Sequence, residues 1–96
     1  MPEKKLISLS AIAANALHHH LKELGPNFLP AIVWAEDEHG IGAWEVGFHE
    51  RRIVPAEFIE RIDGIEIVVE PHWRDGLRGK TLDVVRNHFC VLPKPA

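Results

Sequence analysis

Histidine and carboxylate side chains near the middle of the chain could bind a metal ion. His39 directly follows the acidic run Glu36-Asp37-Glu38, and His49 and His88 are further nitrogen donors. Nitrogen and oxygen donors of these types bind zinc or iron. No pair among them has a recognised ligand spacing, and a solvated turn is the simpler interpretation of the acidic run. His39 is therefore a candidate metal ligand, and no catalytic or cofactor-binding residue is assigned.

The triplet His18-His19-His20 resembles a metal-binding tract but lies in a predicted helix. Neighbouring helical side chains point about 100° apart, so the three rings cannot converge on one ion. His20 alone flanks the apolar face. We expect solvated surface histidines, with His20 partly packed.

Cys90 is the only cysteine of the chain, which excludes an internal disulfide and a four-cysteine site within one copy. It lies in the apolar run Phe89-Cys90-Val91-Leu92, where a buried, inert thiol is expected. A site shared by two copies, with His39 and Cys90 from each, is the alternative.

An enzyme would need a positioned base, such as His39, His72 or His88 beside Asp37 or Asp83. The sequence has no nucleophile elbow, no phosphate-binding glycine loop and no paired-histidine metalloprotease motif. Asp83 has a simpler interpretation as a surface or capping residue. We therefore predict a protein that is not an enzyme and needs no cofactor.

Trp34, Trp44 and Trp73 could anchor a protein partner or a small ligand near the loop 36–42 if they reach the surface. The alternative is that Trp34 and Trp44 are cross-strand core residues.

Helical periodicity positions the first part of the chain. Ser10 can cap a helix that starts at Ala11, and Gly25-Pro26 ends it. Side chains at the 3, 4, 7 spacing should face a sheet: Ala13, Ala16, Leu17, Leu21 and Leu24. Ile12 is expected at the edge of that stripe.

Strand patterns dominate the remainder. The run 31–35 after Pro30, the acidic turn and the run 41–48 predict a hairpin, whose glycines imply a bulge or a close backbone approach. Asp63-Gly64 predicts a second hairpin, with Ile65, Ile67 and Val69 facing the core. A short helical turn is expected within 72–77, followed by an extended or mixed segment to Leu92 and a frayed tail from Pro93.

Bulk composition limits the classes of function. The chain has 96 residues, 46% of them hydrophobic, and a net charge of −3. This is typical of a single domain, 1–96, without general attraction to nucleic acid. No apolar run approaches the roughly 20 residues of a membrane span. We predict a cytoplasmic protein that binds neither nucleic acid nor membrane, with a homodimer left open because so short a chain buries a small core.

Three segments together resemble the HesB-like domain, the fold of the A-type iron–sulfur cluster carriers. They are Ile7-Ser8-Leu9-Ser10 with Ala13-Ala14, the hairpin from Asp63 to Glu70, and Leu82-Asp83-Val84-Val85. The resemblance implies an α+β fold, a β-rich sandwich or distorted barrel with one N-terminal helix and a short second helix. It also implies a link to iron–sulfur cluster biosynthesis.

The carriers of that family hold their cluster with a Cys-Ser-Gly turn and a C-terminal Cys-Gly-Cys pair. Here His39-Gly40-Ile41 occupies the place of Cys-Ser-Gly, and Cys90 does not match a ligand. One cysteine per chain supplies at most two thiolates in a dimer, whereas clusters are usually held by four. We therefore predict a non-catalytic HesB-like protein with a binding or accessory role that carries no cluster by itself. Metal binding through histidine and carboxylate, or a divergent accessory role in cluster assembly, is the alternative.

Overall fold

The computed structural model describes residues 5–93, which form an α+β fold of two sheets and two helices. This confirms the predicted class, the N-terminal helix and the short second helix. The elements in chain order are β1 (Ser8–Leu9), α1 (Ala11–Leu24), β2 (Phe28–Glu36), β3 (Gly42–Glu50), β4 (Ile59–Ile62), β5 (Ile65–Val68), α2 (Arg74–Leu77), β6 (Thr81–Val85) and β7 (His88–Leu92).

The strands form two separate sheets. The larger has the order β3-β2-β5-β4, and the smaller has the order β1-β6-β7. Strand β1 runs parallel to β6, with Ser8 opposite Thr81, while β6 and β7 are antiparallel. Neither sheet closes into a barrel over residues 5–93, so the barrel alternative is not found.

Helix α1 packs against β2 and β6, one strand from each sheet. Ala13 and Leu17 are fully buried at this contact. Leu24 is 43% exposed, however, so the predicted apolar stripe stops one turn early. Ile12, expected at the edge of the stripe, is 61% exposed. Because 3.6 residues make a turn, a stripe drifts around a straight helix and its ends leave the contact.

The main core lies between the helix and the two sheets. It is built from buried aliphatic side chains of nearly every element: Leu6, Ile7, Ala13, Leu17, Ile32, Ile62, Ile65, Ile67, Val69, Leu77 and Leu82. A smaller cluster of Leu29, Ala31 and Val68 lies on the other face of the larger sheet. Both faces of that sheet are therefore partly covered.

Strand β2 starts at Phe28, three residues before the predicted run, and continues through Pro30. The ladder tolerates this proline. Arg51 N donates to Asn27 O, and Asp37 N donates to Ile41 O, so odd-numbered residues of β2 exchange hydrogen bonds with β3. Pro30 is at an even position, where the backbone nitrogen points away from β3. The missing N–H of proline therefore costs no hydrogen bond to β3.

The predicted Asp63-Gly64 hairpin is confirmed. Both residues have positive φ, 51° and 83°, as a type I′ turn requires. Ile65, Ile67 and Val69 all face the core. Glu66 points to the other face and is half-buried.

The last segment contains a hairpin that the sequence analysis described only as an extended or mixed run. Its turn is Arg86-Asn87, with φ of 53° and 66°. Asparagine tolerates this conformation, but arginine is uncommon there, and no glycine marks the turn. The residue types at this turn therefore did not indicate a hairpin.

A polar contact joins the start of α1 to the smaller sheet. The Ser10 hydroxyl accepts from Ala13 N at 3.0 Å and donates to Asp83 Oδ1 at 2.6 Å. Ser10 N also donates to Leu82 O. The Ser10 hydroxyl, with a further bond from Val84 N, holds the pKa of Asp83 below its ordinary value. Asp83 is therefore a structural residue, as its simpler interpretation predicted.

We predict that Ser10→Ala lowers the free energy of unfolding at neutral pH by about 1 kcal/mol for the lost helix cap, and that it also removes the hydrogen bond to Asp83. Since the folded-state pKa of Asp83 is lowered, its stabilisation is present above about pH 4 and disappears as the pH falls further. Urea unfolding at several pH values is the measurement. In Ser10→Ala the free energy of unfolding should fall less steeply as the pH is lowered into the acid range. Asn15→Ala, an exposed change on the same helix, is the control. Equal stability of Ser10→Ala and the control would contradict the assignment.

No helix in the described range 5–93 is long and apolar enough to cross a membrane.

Candidate binding site formed by three tryptophans

Trp34 and Trp44 face each other across the β2–β3 ladder. They are Cα partners in the register, and their rings meet edge to face with centroids 5.0 Å apart. Trp34 is 38% exposed and Trp44 is half-buried. The cross-strand pairing expected of core residues is therefore present, but at the surface. Trp34 Nε1 donates to a Glu36 carboxylate oxygen at 3.2 Å, which fixes the orientation of the outer ring.

Trp73 is the third ring of the cluster. Its centroid lies 6.3 Å from that of Trp44, with the planes at 87°. It precedes α2, where Arg74 forms an ion pair with Glu60 at 3.2 Å and donates to the carbonyl of Glu57. These contacts attach the short helix to the end of β4, and thereby set the position of Trp73. Since the chain has three tryptophans, all of them converge here.

Two glycines make room for the rings. A Cβ on Gly42 would overlap the Trp34 indole, and one on Gly76 would lie 3.1 Å from a ring carbon of Trp44. The glycine-rich β3 was predicted to hold a bulge or a close backbone approach. The close approach occurs at Gly42. In contrast, Gly47 on the same strand has open space around it.

The rings border an open cavity of about 350 Å³, lined by Trp34, Trp44, His72, Trp73, Gly76 and Lys80. We call this the tryptophan pocket. Its walls are mainly indole rings, and its titratable residues are the exposed His72 and the half-buried Lys80. Within residues 5–93 no carboxylate lines it, although a Glu36 carboxylate oxygen accepts from the Trp34 ring N–H. Such a pocket can bind an apolar group and an anionic one side by side.

His39, the candidate metal ligand, lies at the exposed tip of the β2–β3 turn. Asp37 Oδ1 accepts from the amides of His39 and Ile41, so this carboxylate organises the turn. The neighbouring Glu38 carboxylate is 3.6 Å from His39 Nε2. The acidic run is therefore a solvated turn, and Glu38 is the acidic side chain that contacts the His39 ring.

The other candidate donors are dispersed. His19 contacts Glu23 on the surface of α1, and His20, although exposed, has its ring 5.4 Å from that of Phe48. Cys90 is half-buried in β7 opposite Asp83, so its expected full burial is wrong. Strand β7 is an edge strand, which leaves one side of the thiol uncovered. Residues 5–93 contain no group of three or more histidine, cysteine or acidic side chains arranged to hold a metal.

Sequence analysis identified the three tryptophans but missed Lys80, His72 and Gly76 as neighbours. Lys80 was not singled out, and His72 was named only as a candidate base. Lys80 directly precedes β6 and Gly76 lies in α2, so only the tertiary contact of this segment with the Trp44 ring brings them together. The sequence signal for this contact was Gly76, because a glycine inside a helical segment often allows a neighbouring side chain to pack closely.

Comparison with known proteins gives a fold but no family. No protein-family model matches the chain, and no curated protein matches it. A protein from Aquifex aeolicus, solved by NMR in solution as a structural genomics target, is similar in structure with a TM-score of 0.68. The alignment covers 95% of this chain and 94% of that one at 16% sequence identity. The likeness therefore extends over the whole fold.

We predict that Gly42→Ala displaces the Trp34 indole, because the added methyl would occupy the same space. The near-ultraviolet circular dichroism of the coupled tryptophans should fall, and the free energy of unfolding should drop by about 1–3 kcal/mol. Gly47→Ala is the matched control, since it adds the same methyl to the same strand without a clash. Equal spectra and stabilities for the two variants would show that the indole does not depend on Gly42.

Proposed function

We propose that this chain is a non-catalytic binding protein and that the tryptophan pocket is its binding site. The observation that carries the proposal is the convergence of all three tryptophans on one surface cavity with a lysine at its border. Tryptophan side chains exposed in a pocket are the commonest strong anchors of binding interfaces. Protein partners and small ligands both use sites of this composition.

The packing around the pocket supports a dedicated site. Gly42 and Gly76 each weaken regular structure, and each allows an indole to lie closer than any other residue would. Trp34 has its ring N–H engaged by Glu36 while more than a third of the side chain stays exposed. A pre-formed aromatic surface loses little conformational freedom when a ligand binds.

HesB-like descent is part of the proposal. The capped helix, the Asp63-Gly64 hairpin, the short second helix and the Leu82-Asp83 strand follow one another in the order that the resemblance implies. An accessory role in iron–sulfur cluster assembly would suit such a descendant. Carriage of a cluster would not, because the chain has one cysteine and clusters are usually held by four thiolates.

We predict that protein purified under anaerobic conditions is colourless and contains no stoichiometric iron, zinc or acid-labile sulfide. The reason is the shortage of thiolates and the dispersal of the other donors over residues 5–93. Metal and sulfide analysis with visible absorption is the measurement, and His39→Ala should give the same result as the parent chain. Brown protein with labile sulfide would refute the non-carrier proposal. Retained zinc or iron that is lost in His39→Ala would favour the metal-binding alternative instead.

We predict that the apolar anionic dye anilinonaphthalene sulfonate binds the native protein saturably and quenches its tryptophan emission by energy transfer. Because all three tryptophans lie at the pocket, dye bound there should quench this emission strongly. Trp34→Ala should weaken dye binding by about tenfold, as expected for loss of an aromatic anchor.

The control for this titration is Ile53→Ser. Ile53 is 67% exposed and borders a neighbouring apolar cavity, which is formed with Val54, Pro55 and Phe58 and is also lined by Trp73. Circular dichroism verifies that both variants remain folded. Dye affinity that is insensitive to Trp34→Ala, or that depends on Ile53 instead, would refute the tryptophan pocket as the binding site.

A further inference from the structure

We infer that the tryptophan pocket binds an extended, proline-containing segment of a partner protein that carries an acidic residue. This inference rests on the proposed function and specifies its ligand. Three features of the pocket lead to it: a lysine that forms no ion pair within residues 5–93, two ring N–H donors without an acceptor in the same range, and the edge-to-face setting of the rings.

Lys80 sets the sign of the ligand charge. Over residues 5–93 the other cations near the second helix are paired, Arg74 with Glu60 and Arg78 with Asp75. Lys80 forms no ion pair in that range, although it is half-buried against the indoles. A lysine that lines the pocket and forms no ion pair within residues 5–93 favours an anionic group at the border of the pocket. The imidazole of His72 stands on the same border and adds no negative charge.

The ring N–H groups favour a ligand with free carbonyl oxygens. The Trp34 ring N–H donates to Glu36. The ring N–H groups of Trp44 and Trp73 have no acceptor within residues 5–93, and both ring nitrogens are accessible from outside the protein. A polyproline II helix has no internal hydrogen bonds, so all its carbonyl oxygens are available as acceptors. Strands and helices offer fewer, because their own ladders use them.

The ring geometry favours proline over a flat group. The planes of Trp34 and Trp44 meet at 69°, and those of Trp44 and Trp73 meet at 87°. The rings are therefore set edge to face and do not form one continuous stacking platform. Compact proline rings fit such aromatic-lined grooves, and the polyproline II conformation is already extended before binding. A single-stranded nucleic acid instead needs exposed ring faces along a positive groove, and this pocket is lined by a single lysine.

The openness of the site favours a polypeptide segment over a small molecule. Small ligands are usually enclosed over most of their surface. Here Trp34 is 38% exposed, and Trp44 lies near the start of β3, at one end of the β2–β3 hairpin. A segment passing over this end can contact all three rings without being enclosed.

The test is titration of tryptophan emission and of the ring N–H signals in NMR spectra with capped peptides. The acidic proline peptide is Glu-Pro-Pro-Pro-Pro-Glu, and its comparisons replace the glutamates by lysines or the prolines by alanines. We expect the acidic proline peptide to bind about fivefold more tightly than its lysine version, as for a partly exposed charge pair, and about tenfold more tightly than its alanine version. The signals of Trp44 and Trp73 should move most.

Lys80→Gln should remove the preference for the acidic peptide, whereas Lys22→Gln, the same charge change in the last turn of α1, should preserve it. Added salt should weaken the preference as well.

Equal binding of the alanine peptide, or a charge preference that survives in Lys80→Gln, would overturn the inference. Tighter binding of a mixed-sequence single-stranded oligonucleotide would also overturn it. If the dye binds at Trp34 and no peptide does, the inference falls while the proposed function stands. If neither binds, both fall.

Discussion

The fold depends on one helix that has to cover two sheets. Helix α1 contacts β2 of the larger sheet and β6 of the smaller one, and its buried Ala13 and Leu17 lie at that junction. Without the helix, the two sheets would expose their aliphatic inner faces to water. The Ser10 hydroxyl reinforces the arrangement, because it caps the helix and bonds to Asp83 of β6 at the same time. Helix start and sheet position are therefore fixed by one side chain.

The tryptophan pocket follows from the limited length of this helix. Fourteen residues span about 21 Å, whereas each nine-residue strand of the β2–β3 hairpin spans about 30 Å. No residue of α1 lines the pocket. At that end of the hairpin the sheet is covered by α2 and by the tryptophans themselves. Trp34 and Trp44 have a core-like pairing, yet they form a surface cavity because the covering layer ends there.

Local signals accounted for much of the fold. Ser10 and Gly25-Pro26 marked the ends of α1, and Asp63-Gly64 marked a type I′ turn, since each acts through its own backbone neighbours. Arg86-Asn87 forms a turn with the same sign of φ but lacks the glycine that would have indicated it. The early start of β2 across Pro30 also escaped detection. A proline is tolerated in a strand when its nitrogen points away from the partner strand. That direction is set by the pairing of the two strands and cannot be read from the proline itself.

The sequence by itself determined the inventory of chemistry: one cysteine, dispersed histidines and three tryptophans, with an acidic run that its own Asp37 folds into a turn. It also predicted the elements on which these residues lie, because periodicity and turn types act over a few residues. Only the tertiary structure decided which of them meet. Trp73, Gly76 and Lys80 meet Trp44 at the pocket, across more than 25 residues of chain. Such contacts arise from burial shared among distant segments, and no short stretch of residues encodes them.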